Sequence, residues 1–443
     1  MSEQVTIIMP VHNPGKYLRP CLDSLLAQTM EDFRIIAIDD GSTDNSWEIL
    51  QEYASQDVRV LLQQNPYNIG AARTRNIGIQ LAQGEYVVIL DADDYFEPDY
   101  LECLWCACKE NALDIAVCDY YWRDESKGTE TLIRPPHNFS KIIDKPFSWK
   151  DLPRYIFQLF HFQPYLKMYK RMFLIEHDIL FQDLSNSNDV YFSEMTLMRA
   201  SRIMHIARLL VHYRYNTGQQ ISTCRGEKME CVLLALVKTY NAICKDELFD
   251  ALKIGFFSHV AITAWANCFY VSSEIRDAYF ELWQKKGLPA LGMSDLTENC
   301  FYSRFAYQKW QALKDGCSLG DANGTRFLKE ETYKSFFYEA SLRTLSLAHW
   351  GYGKLGKEFQ KKAKQYNYPV IEIYDKDVNK WGKYDGVCVK SFQEHAPVVE
   401  MIVVTNERFI DDVLEQTADT SIKVFSFSAY CLYGVGFEEA ICY

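Results

Sequence analysis

Apolar and polar positions in the first 120 residues alternate between strand and helix periods. Val5-Thr-Ile-Ile-Met9 is a short apolar run closed by Pro10 and predicts a buried strand. Leu18, Cys21, Leu22, Leu25 and Leu26 then recur at helical spacing, with Pro20 in the first turn, where its missing N–H costs little. Phe33 to Ile38 predicts a second strand, ending in Asp39-Asp40-Gly41-Ser42. Ser42, Thr43 and Asp44 can cap a helix carrying Trp47, Ile49, Leu50 and Tyr53. Val58 to Leu62 predicts a third strand, and Asn68-Ile-Gly70 turns the chain into a helix through Ala82. Gly84 ends that helix, and Tyr86 to Leu90 predicts a fourth strand. A helix from about Pro98 to Asn111 and a strand from Ile115 to Cys118 follow. This alternation predicts a mostly parallel sheet with helices on both faces.

Beyond it, Glu227 to Tyr338 reads mainly as helix, with few prolines and few strand signals. Its most apolar part, Ile254 to Val271, is interrupted by Ser258, His259, Thr263 and Asn267, so it reads as a buried helix and not a membrane span. From about Leu342 the α/β alternation returns. Leu345 to Trp350, Pro369 to Asp375 and Val398 to Thr405 predict strands, and Lys357 to Gln365 and Phe409 to Gln416 predict helices. The expected domains are 1–225, a helical region over 226–340, and 341–443. The two α/β parts differ in sequence and are not repeats.

Composition narrows the class. With 443 residues, 48% hydrophobic and 24% charged, the chain can build two or three cores, which excludes a disulfide miniprotein or a mostly disordered chain. A net charge of −12 argues against nucleic acid as a partner, because phosphate binding needs clustered lysines and arginines. The 14 cysteines follow no framework, and Met1 to Pro10 lacks a basic segment and a cleavage site. Reduced thiols in a cytoplasmic protein are the expectation.

Four polar clusters sit at strand ends or helix entries of the first sheet, where ligands gather in open α/β folds. Asp91-Ala92-Asp93-Asp94 places two carboxylates one residue apart, able to share a hard divalent cation with substrate phosphates. An acidic turn capping the next helix is the plainer alternative. Asp39-Asp40-Gly41-Ser42-Thr43-Asp44 offers a carboxylate to a base N–H, or simply a helix cap. Pro10-Val11-His12-Asn13 closes the first strand. In Asn68-Ile-Gly70-Ala-Ala-Arg73-Thr-Arg75-Asn76 an arginine near a helix start can meet a diphosphate, or lie on a solvated face.

Taken in order and spacing, these segments resemble the family 2 glycosyltransferases, which have the GT-A fold. The matching stretches are Ile8-Met-Pro-Val-His-Asn13, Ile38-Asp-Asp-Gly-Ser-Thr-Asp44, Asn68 through Arg75-Asn76-Ile-Gly78, Gly84-Glu-Tyr86 and Asp91-Ala-Asp-Asp94. Thr74 departs from the family's usual alanine. Downstream, Leu166-Lys-Met-Tyr-Lys-Arg171, Asn188-Asp-Val-Tyr-Phe192 and His212-Tyr-Arg-Tyr215 continue the resemblance over about residues 1–220. It implies Asp189 as catalytic base, with Asn188 where the family carries glutamate. It implies Asp91 and Asp93 as ligands of manganese or magnesium. It implies a nucleotide-sugar site made of Pro10, His12, Asn13, Asp39, Asp40, Arg75, Asp91 and Ala92. The implied reaction is inverting transfer from a nucleotide-diphosphate sugar, most often a UDP-sugar, to a cell-surface glycan or lipid-linked acceptor. A lipid-linked acceptor would bring the cytoplasmic protein to the inner face of the membrane. The helical middle would shape the acceptor site or an oligomer contact.

Gly351-Tyr-Gly353-Lys-Leu-Gly356 stands between a predicted strand and a helix, and Asp375 ends the next strand 19 residues later. That context suits a dinucleotide turn: Gly351, Gly353 and Gly356 beside a pyrophosphate and Asp375 on a ribose. The segment resembles small Rossmann-like domains appended to bacterial glycosyltransferases. A structural, regulatory or assembly role without turnover is its first reading, since no Tyr-x-x-x-Lys pair follows. The rival functions are a binding protein that has lost turnover and an NAD-linked sugar-nucleotide oxidoreductase. A glycoside hydrolase also uses paired carboxylates but has no need of nucleotide-pocket segments. Cys103, Cys106 and Cys108 lie on one helix with no second pair, which disfavours zinc.

Overall fold

A computed structural model describes residues 3–133, 135, 139–160, 162–215, 229–268, 271, 273–315, 324–351, 354–368, 370–375, 382–384, 387–391, 399–405, 410–417, 420–427, 430 and 440–442. The chain forms two compact units, Met1–Pro135 with Lys141–Asp295, and Pro136–Ser140 with Leu296–Tyr443.

The first unit opens as the periodicity predicts: β1 (Val5–Val11), α1 (Leu18–Leu26), β2 (Phe33–Asp39), α2 (Ser46–Gln56), β3 (Val60–Gln64), α3 (Ala71–Leu81) and β4 (Tyr86–Ile89). There follow β5 (Tyr95–Phe96), α4 (Tyr100–Asn111), β6 (Ile115–Asp124) and β7 (Thr129–Ile133), then α5 (Ser140–Ile143), which spans the boundary residue. The unit continues with β8 (Lys167–Lys170), α6 (Arg171–Glu176), α7 (Asn188–Arg199), β9 (Ile203–Tyr215), α8 (Glu230–Lys245), α9 (Phe249–Asn267), α10 (Ser273–Leu282) and α11 (Leu288–Ala290).

Among the described residues nine strands form one sheet in the order β3-β2-β1-β4-β8-β6-β9-β5, with β7 on β6. The first four strands are parallel, as expected. The rest is mixed, because β8 inserts antiparallel between β4 and β6. A four-residue strand reading Lys-Met-Tyr-Lys carries too little alternation to be seen in sequence.

β1 is buried on both faces, so it reads as a continuous apolar run. Val5, Ile7, Met9 and Val11 join Leu22 of α1, Leu50 of α2 and Leu104 of α4 in one core. Ile8 points the other way, toward α3. Gly78 of α3 lies so close to it that an added Cβ would stand 2.2 Å from Ile8 Cγ2. A glycine there lets the helix that carries Arg75 settle on the strand.

The expected separate helical region over 226–340 takes another form. α8 and α9 belong to the first unit, while α12 (Arg304–Asp315) and α13 (Gly324–Leu342) belong to the second. The physical reason is a buried polar clamp that ties α7 to α8 and α9. Glu194 of α7 accepts from His259 Nε2 of α9 at 2.7 Å, and from the Thr239 hydroxyl of α8. His259 Nδ1 meets Gln158 Nε2 at 2.6 Å.

The second unit carries β10 (Leu347–Trp350), α14 (Lys354–Gln365), β11 (Val370–Tyr374), β12 (Gly382–Tyr384), β13 (Val387–Lys390), β14 (Met401–Val404), α15 (Ile410–Thr417), β15 (Lys423–Ser426) and β16 (Ile441–Cys442). Its described strands run β12-β13-β11-β10-β14-β15-β16. The five inner strands are parallel, so β13-β11-β10-β14-β15 has the doubly wound 3-2-1-4-5 order.

Candidate active site

The turn after β4 is the centre of the first unit. Ala92 and Asp94 are buried, and Asp91 and Asp93 are half-buried. Asp94 Oδ1 accepts from the Arg214 backbone N–H at 2.9 Å, and Arg214 Nη1 donates to the Asp93 carbonyl at 3.0 Å. The Arg214 guanidinium sits over the rings of Tyr17 (5.0 Å) and Tyr95 (4.7 Å). Burial, and then the Asp91 charge, push Asp93 up to about 7. Burial and the Asp93 charge push Asp94 up as well. Three carboxylates thus crowd one turn of four residues, facing Arg75 and Arg214.

Arg75 joins this turn to the first turn of α7. Its Nη2 donates to Asp91 Oδ1 at 2.6 Å, and its Nη1 to Asn188 Oδ1 at 2.9 Å. Its guanidinium lies over Phe181, 5.2 Å from the ring centre, and Phe181 stacks on Phe192 of α7 at 4.0 Å. Asn76 pins the same segment by two bonds to the Phe181 backbone, at 2.9 and 2.8 Å. Where a glutamate would neutralise Arg75, Asn188 accepts one bond and leaves the charge to Asp91.

Asp189 follows Asn188, half-buried, in the first turn of α7, where the helix N-terminus favours a carboxylate. Burial raises its pKa, while Arg75 and Lys167 work against that rise. A carboxylate raised in this way is better matched to proton abstraction near neutral pH. Lys167 of β8 is fully buried and burial pushes it down to about 7. Its ammonium donates to the Gln163 carbonyl at 3.1 Å and to Ser193 Oγ at 3.3 Å.

The exits of β1 and β2 form a second polar group. Pro10 is half-buried, with Ile38 as its register partner. His12 Nδ1 donates to the Asp40 carbonyl at 3.0 Å. Asn13, in the left-handed region at φ 50°, accepts from the backbone N–H of Thr43 (2.7 Å) and of Asp44 (3.2 Å). Asp39 is fully buried and accepts from Ser42 N–H and Gln64 Nε2. Asp40 accepts from Asn65 Nδ2 at 2.8 Å and from the N–H groups of Ile69 and Gly70 at 2.9 Å each. A carboxylate has about four acceptor positions, so one remains for a ligand N–H.

The residues present fit a hard divalent cation. The donors are carboxylate oxygens, and the crowded 91–94 turn has negative charge that such an ion would relieve. For such an ion Asp93 would be better placed than Asp91, one oxygen of which Arg75 engages. No set of three or more His, Cys, Asp or Glu ligands is gathered among the described residues.

Sequence reasoning named Arg75, Asp91, Asp93 and Asp189, and the structure brings Arg75, Asp91 and the start of α7 into direct contact. It did not single out Asn76, Phe181 or Lys167. Their signal was slight: Asn76 and Lys167 stand in recognisable segments, and Phe181 in none.

In the second unit Gly351 follows β10 with φ +97°, and a Cβ on Gly356 would stand 1.9 Å from the Gly351 carbonyl. His349 is fully buried at the β10–β14 junction, with Nε2 3.3 Å from Thr405 Oγ1, and burial pushes it down to about 3. Asp375 is buried just past β11. Gly353 lies outside the described residues. Among the described residues no helix is long and apolar enough to cross a membrane.

Residues 6–178 match the model of Glycosyl transferase family 2. Glycosyltransferase GlyG of Streptococcus pneumoniae is 44% identical over 130 residues, 29% of this chain and 42% of GlyG. The glycosyltransferase EpsJ of Bacillus subtilis is 30% identical over 258 residues, 56% of this chain and 74% of EpsJ. The crystal structure of S. aureus TarS 1–349 in complex with UDP superposes with a TM-score of 0.50 at 19% identity, covering 72% of this chain and 92% of that one. The chain thus spans less than half the length of GlyG.

Proposed function

The chain belongs to glycosyl transferase family 2, and from that premise we propose that it transfers a sugar from a nucleotide-diphosphate sugar to an acceptor hydroxyl, with inversion. The observation that carries this reading is Arg75, hydrogen-bonded at once to Asp91 and to Asn188, the neighbour of Asp189. The donor-holding turn and the base are thereby set in one frame.

In this reading Asp189 takes the proton from the acceptor hydroxyl as its oxygen attacks the anomeric carbon. The bond from that carbon to the diphosphate breaks on the opposite face, and the nucleoside diphosphate leaves. Asp93, with the free oxygen of Asp91, would hold magnesium or manganese, which neutralises charge on the leaving phosphates. Asp40, with its remaining acceptor position, meets the N–H of the base, and Pro10 and His12 line that side. TarS 1–349 was solved with UDP, which favours a UDP-sugar donor. The acceptor is a glycan or lipid-linked hydroxyl compound.

The test is thermal unfolding with UDP, GDP, CDP and dTDP, each with and without manganese. A ligand at 100 times its dissociation constant adds about 2.7 kcal/mol to stability, a shift easily seen. A manganese-dependent shift with UDP supports the reading, and no shift with any of them overturns it.

A second ligand site is favoured by one observation in the other unit. The approach of Gly356 to the Gly351 carbonyl, at the switch point of a 3-2-1-4-5 sheet, supports a nucleotide bound there, with Asp375 on its ribose. NAD and NADP in the same panel test it: a shift abolished by Asp375→Ala supports the site, and no shift with either removes it.

A further inference from the structure

A cavity of about 280 Å³ opens beside the 91–94 turn, lined by Lys16, Tyr17, Tyr95, Arg123, Glu125 and Arg214. Its lining carries three cationic groups and one carboxylate, Glu125, which pairs with Arg123 at 2.9 Å and with Arg214 at 3.4 Å. Glu130, outside the lining, pairs with Arg123 at 3.0 Å, and Lys16 brings the further positive charge. The two guanidinium groups are fixed before any ligand arrives. Arg214 is held between the ring faces of Tyr17 and Tyr95 and tied to the Asp93 carbonyl. Arg123 donates from Nε to Glu125 at 2.9 Å, and from Nη1 to Glu130 at 3.0 Å and the Tyr95 hydroxyl at 3.3 Å. Tyr95 in turn stacks on His212 at 4.2 Å, which stacks on Tyr121 at 4.6 Å. Glu97 and Glu130 hold the two nitrogens of that histidine, at 2.8 and 3.2 Å. Side chains from four strands and loops thus set one rigid wall, and binding to a preset wall loses little to ordering. Lys16 stands exposed at the rim and makes no ion pair among the described residues.

Guanidinium and ammonium groups arriving from separate elements suit a multiply charged tetrahedral anion, which accepts hydrogen bonds from several directions. Glu125 adds an acceptor for a neighbouring hydroxyl. The volume lies near the lower end of small-molecule sites, roughly 300–1,000 Å³. Arg214 is shared between this wall and the turn that carries Asp93 and Asp94. A group bound here therefore sits next to the transfer centre.

We propose that this cavity is an acceptor subsite for a phosphate-bearing sugar or polyol, placed beside the transfer centre by Arg214. It rests on the transferase reading above. The phosphate belongs to a monoester or to a phosphodiester chain, and the probes separate the two.

The full chain is titrated calorimetrically with glucose 6-phosphate, glycerophosphoglycerol, glucose and glycerol, with and without UDP and manganese. The expected result is binding of a phosphorylated probe about tenfold tighter than its neutral counterpart, the worth of one charge-assisted hydrogen bond. That preference shrinks as salt rises. A stronger response to glucose 6-phosphate assigns a monoester, and to glycerophosphoglycerol a diester. Lys16→Gln, at an exposed position, and Arg123→Gln each reduce the preference. Equal or absent binding of phosphorylated and neutral probes overturns the proposal. So does a parallel loss of UDP affinity in both variants, which would assign the cavity to the donor diphosphate. Failure of UDP to bind the unaltered chain overturns the donor reading alone, because the probe titrations without UDP decide the cavity separately.

Discussion

Replacing Arg75 by lysine tests whether one side chain couples the donor turn to the base helix. The guanidinium makes two bonds from its two terminal nitrogens, at 2.6 Å to Asp91 and 2.9 Å to Asn188. Arg75 and Asn188 are 8% and 7% exposed, so water does not replace a lost bond cheaply. A lysine ammonium is a single point of charge and does not span both partners. Each hydrogen bond to a charged group contributes about 1.5–3 kcal/mol. Arg75→Lys and Asn188→Leu remove the same bond from opposite sides, so their effects on stability should not add. The expected coupling energy is about 1.5–3 kcal/mol, read from urea unfolding of the native chain, the two single variants and the double variant. The same bond orients the start of α7, and Asp189 is the next residue. A displacement of about 1 Å at the reacting groups lowers turnover by about a hundredfold. Asn188→Leu should therefore slow sugar transfer far more than it weakens UDP binding. Coupling below about 0.5 kcal/mol, the level of independent sites, would refute the frame through Arg75.

Other outcomes follow from the same geometry. Asp189→Asn keeps the shape of the base and removes its basicity; transfer should fall by about 10²–10⁴-fold with UDP binding retained, as steady-state rates and a UDP titration will show. Gly78→Ala forces a methyl to 2.2 Å from Ile8 Cγ2 and should destabilise the chain by about 1–3 kcal/mol in denaturant unfolding. With Ile8→Ala already present the Cγ2 clash is gone and only the 3.3 Å approach to the Cβ at position 8 is left, so the same change should cost clearly less than in the native chain. His205 sits between Asp119 and Asp144 at 2.7 Å each; burial pulls its pKa down, but these hydrogen bonds outweigh it and lift it to about 9. Its folded pKa thus lies above the unfolded value near 6.5. Its contribution is fully present below about pH 6.5 and is lost toward pH 9, by about 1.4 kcal/mol per pH unit. A pH series of unfolding midpoints should show this slope, and His205→Gln should flatten it.

Legibility differed between parts of the molecule for physical reasons. β1, β2 and β4 were plain because strands buried on both faces read as nearly continuous apolar runs, and α1 because one stripe of it faces the core. β8 was invisible: four residues ending in lysines owe their place to the strands on either side. β9 runs for thirteen residues, yet only its last four, His212 to Tyr215, stood out in sequence. The unit boundary near residue 295 was missed because helical periodicity says where a helix buries a face, not against which neighbour.

Local chemistry along the chain was enough to establish strand ends bearing Asp40, Asp91 and Asp93, a helix start bearing Arg75, and another bearing Asp189. Those depend on period, turn residues and side-chain type, which are properties of neighbours in sequence. Tertiary structure alone decided that Arg75 spends its two bonds on Asp91 and Asn188, that three amide donors fill most of Asp40, and that Lys16, Arg123 and Arg214 meet around one cavity. Each of these joins residues far apart in sequence. Burial then changed the chemistry of these groups, since a carboxylate such as Asp93, with Asp91 already close in sequence, is raised to about 7 only where the fold removes its water.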